Sequence, residues 1–74
     1  MLDLNQMSVF IQVVQEGSFT AAARALGMPK SRVSRMITDL EDKLNLRMLE
    51  RTTREVRPTD VGLQYYEQYK PLFE

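Results

Sequence analysis

The chain contains no cysteine and no histidine. Without thiols there is no disulfide framework and no thiolate zinc site. Without imidazole, the common nucleophile triads and histidine-ligated metal centres are excluded. No apolar run approaches the ~18 residues of a membrane span, and no basic stretch leading into an apolar one marks a secretory leader. Net charge is lacking too: ten Lys and Arg balance ten Asp and Glu, which is not the signature of a bulk nucleic-acid binder. Glu41 and Asp42 are adjacent carboxylates, but neighbours at i and i+1 on a helix diverge. With no convergent acid–base pair and no glycine-rich phosphate loop, nothing supports an enzyme, and no cofactor is expected. The cytosol is the default compartment.

What is present fits one folded domain or part of one: 74 residues, 43% hydrophobic and 27% charged. A chain this short without staples gains its stability from close helix packing or from a partner chain. The charges are segregated. Residues 1–23 carry only Asp3 and Glu16, and residues 58–74 carry Lys70 against Asp60, Glu67 and Glu74. The middle, residues 24–57, holds the other nine basic groups against five acids. A basic centre therefore lies between two acidic flanks.

Leu4, Met7, Phe10 with Ile11, and Val14 recur at the spacing of one helix face. Asp3 is placed to cap that helix, with Gln6 completing a capping box and Leu2 and Met7 a hydrophobic staple. Gly17 predicts a left-handed stop. Ser18 predicts the cap of a short second helix with Phe19, Ala22, Ala23 and Leu26 inward, ended by Gly27. Pro29 suits the first turn of a third helix, over about 29–44, with Val33, Ile37, Leu40 and Leu44 on one face and Asn45 as its stop. Its polar face changes sign, from Lys30, Ser31, Arg32, Ser34 and Arg35 to Asp39, Glu41 and Asp42. Residues 47–58 lose helical periodicity and predict a hairpin, 48–51 against 55–58, with Thr52, Thr53 and Arg54 at the tip. Thr59 predicts the cap of a fourth helix from about Asp60, and Pro71 predicts a kink or end near 68–70.

Two short helices around a glycine turn, Ala23, Gly27 and Val33 in register, resemble a helix-turn-helix. Ala22, Leu26, Met28, Val33 and Met36 occupy its buried positions. Such a motif leaves the start of the later helix projecting. Bases at a helix start sit unfavourably beside the positive end of the macrodipole, so Lys30, Arg32 and Arg35 there point to an anionic partner and to a DNA major groove. The acids at 39–42 are expected deeper in the body. Arg51, Arg54 and Arg57 fall alongside as a wing. Arg24 and Arg47 divide evenly between ion pairs with Glu41 or Glu50 and phosphate contact. Ser18 and Thr20 read first as caps, although a capped helix start also receives phosphate. A winged helix that meets only an acidic protein is the rival reading.

The whole chain resembles one family, the N-terminal domain of LysR-type bacterial transcription regulators. The matching residues are Leu4-Asn5-Gln6, Phe10, Gly17 to Ala23, Leu26, Ser34-Arg35, Ile37, Leu40-Glu41, Leu44, Arg47, Leu49, Glu50 to Arg54, Thr59 and Gly62. Pro29-Lys30-Ser31-Arg32 departs from the commoner Ser-Gln-Pro-Ala pattern. The resemblance implies a mainly α winged helix-turn-helix: a three-helix core, a short β-hairpin wing and a C-terminal linker helix. It divides the chain into a DNA-binding domain over 1–58 and the start of a linker helix over 59–74, with a ligand-sensing domain beyond. It implies an interrupted palindrome of double-stranded DNA as partner, read by a dimer, or by a tetramer in the full-length protein. DNA contact is then expected from Ser18, Thr20, Lys30, Ser31, Arg32, Ser34, Arg35, Arg51, Thr52 and Arg54. Self-association is expected from Tyr65, Tyr66, Tyr69, Leu72 and Phe73. No membrane is implied.

Overall fold

The Asp3 carboxylate accepts hydrogen bonds from the backbone N–H of Asn5 at 2.9 Å and of Gln6 at 3.3 Å, and so starts helix α1, Leu4–Glu16. In this computed structural model, residues 3–51 and 55–74 are described. The expected Leu2–Met7 staple and the Thr52–Thr53–Arg54 tip lie outside them. Gly17 ends α1 in the left-handed region at φ 68°, with its N–H on the Val13 carbonyl at 2.8 Å. Helix α2, Phe19–Leu26, follows at once, capped by the Ser18 hydroxyl on the N–H of Ala21 at 3.1 Å. Gly27, again left-handed, turns the chain into α3, Lys30–Leu44, and Asn45 at φ 53° stops it.

Strands β1, Leu49–Arg51, and β2, Val56–Pro58, pair antiparallel, with Glu50 opposite Arg57. Thr59 caps α4, Asp60–Tyr69, by accepting from the N–H of Gly62 at 3.0 Å. At Pro71 the chain tightens into a 3₁₀ turn, Lys70–Phe73, because proline has no N–H for the α-helical ladder. The Lys70 ammonium reaches Glu74 at 3.4 Å and lies 5.7 Å from the centroid of the Tyr66 ring. The Glu74 hydrogen bond, then the Tyr66 charge, raise the Lys70 pKa above its ordinary value.

The core is Met7, Val9, Phe10, Ile11 and Val13 of α1, Ala22 and Ala23 of α2, Val33, Ile37 and Leu40 of α3, and Met48 and Leu49 where the chain enters β1. Helix α1 is central and packs on α2, α3 and α4. That explains why its buried surface exceeds the single expected stripe, taking in Val9 and Val13, while Leu4 stays exposed. The alanines of α2 let it lie close to α1 and α3, since small side chains bring backbones together.

Several expectations shift. Pro29 is the N-cap of α3 rather than part of its first turn, in extended conformation at ψ 145°. Gln6 does not complete a capping box: the residue is buried, and its amide oxygen has no hydrogen-bond partner among the described residues. Leu26, Met28, Met36 and Leu44 are half-buried, while Ala22 and Val33 are fully enclosed. The hairpin strands begin one residue later than expected, at Leu49 and Val56, because Met48 and Glu55 fall outside the ladder. Of the acidic group on α3, Asp39 and Asp42 are exposed and only Glu41 turns inward.

Candidate nucleic-acid interface

The N-terminus of α3 is open. Pro29 has no side chain able to cap, and no side-chain hydrogen bond closes this end. Only the N–H groups of Arg32 and Val33 are satisfied locally, both by the Pro29 carbonyl, at 3.0 and 3.2 Å. Around this end Lys30, Ser31, Arg32 and Arg35 are exposed, and Ser34 is half-buried. Among the described residues the ion pairs are Glu41–Arg51, Glu55–Arg57 and Lys70–Glu74, so Lys30, Arg32 and Arg35 keep their charges unneutralised. A helix start with uncapped N–H groups and three free cations attracts anions by both dipole and charge.

The neighbouring helix start is built differently. Ser18 spends its hydroxyl on the cap of α2, and Thr20 is exposed beside it. Arg24 and Arg47 are exposed and, among the described residues, neither pairs with Glu41 or Glu50. Arg51, expected to contact DNA from the wing, has partners within the molecule. Its guanidinium Nη2 stands 3.5 Å from Glu41 Oε1, and its Cζ lies 5.1 Å from the Phe19 ring centroid. Thr52 and Arg54 lie outside the described residues. An open groove of about 580 Å³ lies between the end of α3 and the wing, with Thr38, Asp42, Leu46 and Arg47 on its walls.

Glu41 was missed by sequence reasoning as a structural anchor. Its Oε2 accepts from the N–H of Met48 at 2.8 Å and of Leu49 at 3.2 Å. The only signal available was an acid at the end of a helix followed by a short turn, which fits many surfaces.

Along α4 and the 3₁₀ turn after it, the tyrosines divide from the leucines and the phenylalanine. Tyr65, Tyr66 and Tyr69 are half-buried against the chain's own core, and Tyr65 and Tyr69 stack at 6.0 Å with rings 8° from parallel. Leu63, Leu72 and Phe73 are exposed, Leu72 by 67%. No helix among the described residues is long and apolar enough to cross a membrane.

Residues 4–63 match the model of the bacterial regulatory helix-turn-helix proteins, lysR family. The chain belongs to the lysR family. This is a family of transcription regulators, not of enzymes. A LysR relative described as an HTH-type transcriptional regulator, from Xanthomonas campestris pv. campestris (strain 8004), is 49% identical over 65 residues; the match covers 88% of this chain and 19% of that protein. The chain thus spans about a fifth of the curated relatives it matches. Among solved structures, the BenM_DBD/benA site 1 DNA complex superposes with a TM-score of 0.91 at 37% identity, over 96% of this chain and 80% of that one. The CbnR_DBD–DNA complex does so with a TM-score of 0.90 at 28% identity, over 96% and 82%. The architecture is therefore the winged helix-turn-helix of LysR DNA-binding domains.

Proposed function

We propose that this chain is the sequence-specific, double-stranded DNA-binding domain of a bacterial transcription regulator, with α3 in the major groove and the hairpin at the adjacent minor groove. The observation that carries this reading is the exposed, uncapped N-terminus of α3 with Lys30, Arg32 and Arg35 unpaired around it. It is supported by the likeness to two LysR DNA-binding domains crystallised on DNA. Lys30, Ser31, Arg32, Ser34 and Arg35 meet base edges and the phosphates beside them. Ser18 and Thr20, at the start of α2, receive a backbone phosphate. Arg54 and Thr52 extend the contact from the wing.

Residues 1–58 form the DNA-binding unit, and α4 begins a linker that joins two subunits through the side of Tyr65, Tyr66, Tyr69, Leu72 and Phe73. The site is an interrupted palindrome, read by a dimer or, in a longer protein, a tetramer, in the cytoplasm. The test is selection of bound sequences from a random duplex pool, followed by affinity on the recovered duplex at several salt concentrations. Half-sites related by a dyad are expected. With three to five phosphate contacts per subunit, the dimer's log–log salt slope is about −5 to −9. No retardation of any duplex at low salt would leave a protein-binding winged helix as the function.

A further inference from the structure

One carboxylate of α3 holds the base of the wing. Glu41 Oε2 accepts from the N–H of Met48 at 2.8 Å and of Leu49 at 3.2 Å, and its Oε1 faces Arg51 at 3.5 Å. Arg51 in turn lies over Phe19, the first residue of α2. The carbonyls of the same stretch are held from the opposite side. Arg47 O accepts from Thr59 Oγ1 at 2.6 Å, and Met48 O from the Thr59 N–H at 3.1 Å. The chain leading into β1 is thus gripped through its N–H groups by α3 and through its carbonyls by the cap of α4.

Each strand of the wing has three residues, and an isolated two-stranded hairpin of that size has no stability of its own. What anchors its base therefore sets its direction. Glu41 and the bases at 30–35 are on one helix, so the anchor refers the wing to the same rod that carries the groove-facing side chains. Side-chain exposure is 13% for Glu41 and 34% for Arg51. With a carboxylate at one edge and a ring face beneath it, the guanidinium has part of its donor set already committed.

We propose that Glu41 and Arg51 are positioning residues for DNA binding: they fix the tilt of the wing against α3, and Arg51 does not neutralise a phosphate. This rests on the DNA-binding reading above. The 2.8 Å amide bond to Glu41 is the stronger arm and the 3.5 Å Arg51 contact the weaker.

The experiment uses the 74-residue chain and the duplex recovered from the random pool. Arg51→Ala, Glu41→Ala, Glu41→Gln and the double alanine variant are titrated at several salt concentrations and footprinted with hydroxyl radical. The thermal midpoint of each is recorded without DNA. Arg51→Ala and Glu41→Ala are expected to weaken binding, roughly tenfold for the latter, and the double variant to lose no more than Glu41→Ala, because the two act as one unit. Glu41→Gln keeps an acceptor oxygen for the two amides and loses less. The salt slope stays at the unmutated value, and protection is lost at the flanks touched by the wing while the centre of each half-site keeps it. A slope shallower by about 0.9 for Arg51→Ala would assign Arg51 to a phosphate and overturn the proposal. So would additive losses, unchanged affinity, or a footprint that fades evenly as the thermal midpoint falls. If Glu41→Ala does not fold, Glu41→Gln and Arg51→Ala decide the same points. Failure of the unmutated chain to bind any duplex would remove the DNA-binding reading itself, and the positioning role with it.

Discussion

Gly62 packs directly against the backbone carbonyl of Met48. A Cβ built on Gly62 would overlap the Met48 oxygen and stand 2.9 Å from the carbonyl carbon. The obstacle is main chain, held in place by the Thr59 N–H at 3.1 Å and unable to swing aside as a side chain could. In an ordinary helix Gly→Ala is stabilising by roughly 0.5–1 kcal/mol. Here the sign reverses, and Gly62→Ala is expected to cost about 1–3 kcal/mol as overpacking. For a domain of this size each kcal/mol lowers the thermal midpoint by about 4–8 °C. A thermal midpoint equal to or above that of the unmutated chain would count against the close approach.

Arg32 and Arg54 should fail differently on DNA. Arg32 is exposed at the open start of α3, and a bidentate arginine on guanine contributes ~1–3 kcal/mol of discrimination. Arg32→Ala should weaken the selected site more than random duplex and relax preference at one base pair per half-site. Arg54→Ala should weaken both evenly and flatten the salt slope by about one. Affinities on the selected site, a single-base variant and random duplex check this. The reverse pattern would exchange the reader and the clamp.

Leu72 is the cleanest probe of self-association. It is 67% exposed, whereas Tyr69 stacks on Tyr65 and leans on the chain's own core. Leu72→Asp should shift the monomer–dimer equilibrium toward monomer in sedimentation at unchanged thermal midpoint. Tyr69→Asp should lower both. A dimer indifferent to Leu72→Asp would place the seam elsewhere.

The end of α4 should ignore pH through the neutral range. The Lys70 pKa is raised from 10.5, chiefly by its hydrogen bond to Glu74. A raised folded-state value means that the tie is fully present below the unfolded lysine pKa and is lost only as pH climbs through the folded one. The Lys70 side-chain signals in an NMR titration should therefore hold steady through the neutral range and move only in alkaline conditions. Movement of those signals near neutrality would contradict the pairing.

The local punctuation of this fold is readable in the sequence because it acts over short range. Asp3, Ser18 and Thr59 each cap an N–H two or three residues away, and Gly17, Gly27 and Asn45 each stop a helix by their own φ. The open end of α3 was only half legible: the bases at its start stand in the sequence, but Pro29 read as part of the first turn and proves to be the N-cap, with no side chain able to cap. What escaped was contact between elements. Glu41 finds its partners seven to ten residues later, across a turn, and periodicity on α3 marks it only as another acid. Gly62 reads as a weak point in a helix until the Met48 backbone is seen beside it. Arg51 looks like a free wing cation until the carboxylate and the Phe19 ring are in place. The burial of α1 on nearly every side depends on three neighbours that one helix's pattern does not specify.

The reversal of charge along α3 makes a neutral molecule behave as an oriented one. Lys30, Arg32 and Arg35 stand at one end, and Asp39 and Asp42 are exposed toward the other. These charges add to the helix's own dipole rather than oppose it. From Lys30 to Asp42 the helix rises about 18 Å, while the screening length in physiological salt is about 8 Å. A phosphate at the start of α3 therefore feels the cations and scarcely feels the acids behind them. With no net charge on the chain, attraction to a polyanion is local to this end of α3 rather than a property of the whole surface.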